Sequence, residues 1–288
     1  MTRNRRGRRR VTHLRVSIWP ATLAFLLALG AAGCGLQPEM PAAQSENATQ
    51  LGLGLARRDK QIHSLQTSAI MEYIGGGEHV KVRERIVAER PASVRVDVMS
   101  PIGVALVVAA DGGQVAIFDP SKNTLMQGPA TAEALDRYAR IPMAPQDTVR
   151  MLMGLTPDTS MLAFAPNQYG MTAENEPYLM YREPNAVTDY LTFDANDNLT
   201  SLRQTLASGR ESYEVHYSDY RATGGGSAIM FPYQVAASFP TTGASVKFRY
   251  EQPILDGDIE DSTFTLAPGD ETRRLTLGLA DTRSSPAN

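Results

Sequence analysis

The chain has 288 residues, with 28 Lys and Arg against 31 Asp and Glu and a single cysteine, Cys34. Seven of the basic side chains and none of the acidic ones precede that cysteine, so the part from Cys34 onward carries 21 basic against 31 acidic groups, a formal charge of −10. This balance, without a Lys/Arg cluster, excludes nucleic acid as a partner and electrostatic adhesion to anionic lipid. One thiol excludes an internal disulfide.

The chain opens on Arg3, Arg5, Arg6, Arg8, Arg9, Arg10 and Arg15, an apolar run from Val16 to Leu29, and small residues Ala31, Ala32 and Gly33. This is the layout of a secretory signal. Small residues directly before a lone Cys resemble a bacterial lipoprotein signal, which implies removal of residues 1–33 and lipidation of Cys34; Ala31 stands where Leu is commoner. The alternatives are an ordinary cleaved signal, an uncleaved anchor helix, and twin-arginine export through Arg8, Arg9 and Arg10. Gly35 implies outer-membrane sorting with the domain facing the periplasm, since Asp at that position is the inner-membrane retention signal of such lipoproteins. No later run reaches the roughly 20 apolar residues of a spanning helix, so the mature chain is expected to be anchored to the membrane by lipid alone.

Residues 34–50, rich in Pro, Ala, Gln and Glu, read as a flexible tether. Leu51, Leu55, Arg58 and Ile62 recur at helical spacing and predict a short helix from Thr49 to Gln61. The period then becomes two. Leu65, Thr67, Ala69, Met71 and Tyr73 alternate along one strand, and Gly75-Gly76-Gly77 turns into a second with Val80, Val82 and Ile86. A third carries Val94, Val96 and Val98 against Arg95 and Asp97, and Pro101-Ile102-Gly103 breaks it. Val104 to Ala110 is almost wholly apolar, and Asp111-Gly112-Gly113 turns it toward Val115 to Phe118. Thr131 predicts the N-cap of a helix with Ala132, Leu135, Tyr138 and Ala139 on one face, ending before Pro142. A second helix is predicted from Pro145 to Gly154 with Val149, Leu152 and Met153 on its stripe. Strands are expected to resume from Pro177 and to include the pairs Leu191 and Phe193, Val215 and Tyr217, Val235 and Ala237, and Phe248 and Tyr250. Residues 272–288 read as a polar tail. The expected fold is mainly β with helices, a strongly curved antiparallel sheet covered by helices in one domain spanning 51–271.

Catalytic signatures are not apparent. His63, His79 and His216 have no metal-ligand spacing, and the glycine triplets at 75–77 and 224–226 do not open helices, as phosphate cradles require. Asp256, Asp258, Glu260 and Asp261 lack the spacing of a calcium loop and read as a solvated turn. Seven of the 12 methionines, from Met126 to Met180, fall around the two central helices. Methionine suits ordinary core filling and equally suits an irregular apolar ligand.

The order of Arg90-Pro91-Ala92-Ser93-Val94-Arg95-Val96-Asp97, Ser100-Pro101-Ile102-Gly103, Asp111-Gly112, the helix pair bridged by Arg140-Ile141-Pro142 and closed by Met153-Gly154, and the later Tyr217-Ser218-Asp219-Tyr220 and Pro232-Tyr233-Gln234-Val235 resembles the lipoprotein-localisation family that includes LolA and LolB. Over residues 60–155 the resemblance is closest. It implies an unclosed β-barrel of about eleven strands with a helical lid over an apolar cavity for acyl chains. It further implies a non-catalytic protein without cofactor or metal, whose partners are lipoprotein acyl chains or lipid and a periplasmic lipoprotein carrier. Val96, Val98, Leu106 and Val108 would line the cavity, with Leu135, Tyr138, Val149, Leu152 and Met153 facing it from the lid. Pro101-Ile102-Gly103 is the candidate for the protruding apolar loop of membrane-anchored members. The competing reading is a structural or interaction lipoprotein of the envelope with a self-filled barrel.

Overall fold

The strands follow the alternation of the sequence. In β1 (Ser64–Gly75), Leu65, Thr67, Ala69, Met71 and Tyr73 point inward and are buried. In β2 (Glu78–Glu89) the inward phase holds Val80, Val82, Glu84, Ile86 and Ala88, each opposite an inward residue of β1. The computed structural model describes residues 40, 42–223 and 229–277. The signal segment, Cys34, the start of the tether and Gly224-Gly225-Gly226 lie outside the described residues.

The meander continues through β3 (Ser93–Ser100), β4 (Gly103–Asp111), β5 (Gln114–Asp119) and β6 (Thr124–Pro129). Two helices follow, and then β7 (Gln168–Met171), β8 (Pro177–Arg182), β9 (Thr188–Phe193), β10 (Leu199–Thr205), β11 (Glu211–Ala222), β12 (Met230–Phe239), β13 (Ala244–Leu255) and β14 (Arg273–Thr276). All fourteen belong to one sheet in the order β14-β6-β5-β4-β3-β2-β1-β13-β12-β11-β10-β9-β8-β7. Every pairing is antiparallel except β14 with β6. The sheet does not close, because β14 and β7 are its two edges. It has fourteen strands where about eleven were expected; short β7 and β14 add no alternating apolar pattern by which a strand is recognised. The two halves of the chain meet at the β1–β13 pairing, from Leu65 opposite Leu255 to Ile74 opposite Ser245.

Helix α1 (Ala42–Gln61) begins well inside the stretch expected to be a tether. Ala48, Leu51 and Leu55 recur at helical spacing and are buried, with Arg58 half-buried on the same stripe. Among the described residues no helix is long and apolar enough to cross a membrane. Helices α2 (Ala132–Ala139) and α3 (Pro145–Leu152) form where the caps predict. Thr131 Oγ1 accepts a hydrogen bond from Ala134 N at 3.2 Å. Gly154 ends the second segment at φ +66°, and a Cβ there would lie 2.6 Å from Pro232 Cγ, so both the turn and the approach of β12 demand glycine.

The outer side of the sheet is covered over β3 to β6. Val107, Ala109, Ala116 and Leu125 point away from the concave side and are buried nonetheless. The turn Asp261–Phe264 lies over β3 and β4, where Arg95 Nη1 donates to Thr263 O at 3.2 Å. The chain then adds β14 beside β6, within the stretch expected to be a polar tail. Burial on both faces accounts for the unbroken apolar run of β4. Asp256 of the acidic turn caps β1, its Oδ1 accepting from the backbone N–H of His63 at 2.7 Å and Ser64 at 3.1 Å.

Candidate functional site: the concave face and its half-open end

Helix α3 lies in the concavity and is buried over most of its surface, its polar Thr148 and Arg150 included. Val149, Met151, Leu152 and Met153 are 0% exposed. Polar contacts from three directions hold this segment. Tyr217 Oη donates to Leu155 O at 2.6 Å from β11, and Tyr250 Oη to Leu152 O at 2.9 Å from β13. From α1, Arg58 Nε donates to Gly154 O at 3.3 Å. Asp59 Oδ1 lies 2.6 Å from Nη2 of Arg150, a guanidinium only 5% exposed, which also donates to Thr156 O at 2.7 Å. Asp59 additionally meets Arg90 at 3.3 Å. The free space left between α1 and α3 is about 10 Å³, on the order of a single water molecule.

Packing loosens toward the β3–β4 turn. The row formed by Ile86, Val96, Val108 and Ile117 is buried. The next row toward the turn runs Ala69, Glu84, Val98, Leu106, and its last two members are only half-buried. Val80, Val82, Met126 and Tyr138 also pack on the core while retaining exposed surface. At the tip Ile102 is 99% exposed and Val104 follows it at 37%, an apolar lip beside an apolar opening. Helix α2 borders this end and is held more lightly than α3. Leu135 is its only fully buried side chain. Arg140, at its C-cap, pairs with Glu78 at 2.6 Å, both partly exposed, and lies over the buried Tyr73 ring.

Glu84 and Asp189 carry carboxyl groups on buried, inward phases of their strands. Glu84 is 4% exposed, and burial alone pushes it up to about 8. Asp189 is fully enclosed in a row with Tyr181, Gln204 and Tyr213. Gln204 Nε2 donates to its Oδ1 at 3.2 Å, and burial, opposed by this bond and reinforced by Asp158 and Glu183, pushes Asp189 up to about 7. Among the described residues no group of three His, Cys, Asp or Glu is placed to hold a metal ion. His79 and His216 are exposed and face Glu72 at 2.8 Å and Glu214 at 3.5 Å.

No protein-family model matches this sequence, and no curated protein matches it either. Solved structures do. A DUF1329 family protein from Desulfovibrio piger aligns with 77% of this chain and 97% of its own, at 9% identity and a TM-score of 0.54. A domain from Vibrio parahaemolyticus assigned to outer-membrane lipoprotein sorting aligns with 76% of this chain and 97% of its own, at 8% identity and a TM-score of 0.51. The chain shares their fold. A LolA superfamily protein from Nitrosomonas europaea aligns over 76% of this chain and 97% of its own, at 14% identity and a TM-score of 0.49. The unclosed, curved, mainly antiparallel sheet with helical cover expected from the family resemblance is the architecture observed.

Of the nine positions expected to line a cavity, Val96, Val108, Val149, Leu152 and Met153 belong to one continuous buried core, with Val98, Leu106 and Tyr138 packed at its open margin. Leu135 is buried but stands outside that continuous core. The sequence reading passed over Glu84, although the phase of Val82 and Ile86 places residue 84 inward. It also passed over the Asp59–Arg150 pair, for which helical spacing gives no signal across separate elements.

Proposed function

We propose that this protein is a lipid-anchored outer-membrane lipoprotein that binds acyl chains of lipoproteins or similar lipids without covalent chemistry, and that a periplasmic carrier delivers them. The observation that carries this reading is the half-open apolar end between β2, β3, β4 and α2, bordered by the fully exposed Ile102. An apolar lip beside an apolar opening offers an acyl chain a path that keeps methylenes out of water, each worth about 0.8 kcal/mol. The fold shared with a lipoprotein-sorting domain supports the same reading. Because α3 is bolted in place and α2 is lightly held, α2 is the element that swings aside to lengthen the groove. The competing reading, a structural lipoprotein with a self-filled interior, is favoured by the complete burial of Val149, Met151 and Leu152 on α3.

A fluorescent long-chain acyl probe separates the two. Binding by the wild-type protein, weakened about tenfold or more by Ile102→Glu through the desolvation of a charge at the lip, is the expected outcome. No saturable binding by a folded wild-type protein leaves the structural reading. Anchoring is tested separately: Cys34→Ala is expected to move the protein from the outer-membrane fraction to the soluble periplasmic fraction and to remove the acyl mass. Retention of the variant in the membrane, with no acyl mass on the wild type, would overturn the lipoprotein assignment.

A further inference from the structure

Glu84 occupies an inward position on β2 where every neighbour in register is apolar: Ala69 on one side and Val98 on the other. Among the described residues its carboxyl makes no hydrogen bond and no ion pair, and the Tyr250 hydroxyl, on which its charge bears, is already committed to Leu152 O. Burying a carboxyl without a partner is costly, and an apolar side chain of the same size would fill the position without that penalty. The neighbouring arginines, Arg83 and Arg85, sit on the opposite phase of the strand. Glu84 also stands at the boundary where the buried row gives way to the half-buried Val98 and Leu106, so its carboxyl adjoins the part of the core that retains exposed surface.

We infer that Glu84 is the head-group anchor of this opening and that it selects acyl ligands carrying a cationic amine. This rests on the acyl-binding reading and adds its polarity. An ammonium supplies in one group the charge and the N–H donors that the carboxyl lacks. Above about pH 8, where Glu84 is ionised, a carboxylate head would meet like charge, and an uncharged alcohol would gain a hydrogen bond without a counter-charge. Burial raises the unliganded carboxyl to about 8, so amine binding would also draw a proton from Glu84 as the ion pair forms.

The test uses the full-length protein in detergent and three probes with the same fluorophore and alkyl chain, ending in a primary amine, an alcohol or a carboxylate. At about pH 9, where Glu84 is ionised and the amine is still protonated, wild type is expected to bind the amine about tenfold or more tightly than the alcohol, and the carboxylate most weakly. Glu84→Leu is expected to bind amine and alcohol alike, to keep its alcohol affinity, and to unfold at a higher urea concentration than wild type. Glu84→Gln, which preserves shape and hydrogen bonding, is expected to lose the amine preference without that gain in stability. An unchanged amine-to-alcohol ratio in both variants would overturn the role of Glu84 while leaving acyl binding in place. Failure of wild type to bind any of the three probes would overturn acyl binding itself and this inference with it.

Discussion

Replacing Asp59 with Leu is expected to destabilise the protein by about 3–5 kcal/mol, among the largest effects of any single substitution in the chain. Asp59 faces two guanidinium groups, Arg150 at 2.6 Å and Arg90 at 3.3 Å, and the first of these is enclosed by the core. Without the carboxylate, Arg150 keeps only its bonds to Thr156 and becomes an uncompensated buried charge. The loss should be read from the urea midpoint. The double variant Asp59→Leu with Arg150→Met removes both charges and is expected to recover most of that loss, since a buried ion pair contributes little beyond an apolar replacement of similar size. A single variant as stable as wild type would mean that α1 does not hold α3 in the concavity.

Stability is expected to fall as pH rises from about 5 to about 8, the reverse of the usual behaviour of paired carboxylates. Burial raises Glu84 to about 8, Asp189 to about 7 and Asp147 to about 6, whereas unfolded carboxyls titrate near 4. Between those values the folded chain holds protons that the unfolded chain has released. Each such group therefore contributes stability that is present below its unfolded pKa and is lost as pH climbs through its folded one, at up to about 1.4 kcal/mol per pH unit. Asp119 acts oppositely: hydrogen bonds led by that from Ser121 hold it down to about 2, so its contribution disappears only in acid below that window. Thermal midpoints at pH 5.5 and 8.5 should differ accordingly, and Asp189→Asn or Glu84→Gln should flatten the slope. A level profile in the wild type would mean that these carboxyls find partners in solution.

Much of this architecture was legible because one-sided burial imposes period two. Leu65 to Tyr73, Val235 to Phe239 and Val246 to Tyr250 each turned every second residue inward as read. The helix boundaries were legible from Thr131, Pro142 and Gly154, whose backbone preferences are local. Helix α1 was legible only in its second half, because residues 44–47 are exposed and bury nothing that marks a face until Ala48. Strand β14 was not legible, since all four residues of this edge strand are exposed and its pairing with β6 is a distant backbone event. The site was legible as an apolar face and not as a chemical one. Glu84 and Asp189 are charged types in inward phases, and a reading that sorts by hydrophobicity sends such residues to solvent.

The pairing of β1 with β13 also sets a timetable for folding. β1 can zip to β2 as soon as the Gly76-Gly77 turn forms, but its other edge has no bonding partner until Ala244–Leu255 has emerged, more than half the chain later. Neighbouring hairpins on either side, β3 to β6 and β8 to β12, close over short distances and can form early. Their union is a late, high-contact-order step. Until then the chain holds an apolar strand with an unsatisfied edge, which is the species most exposed to misassembly.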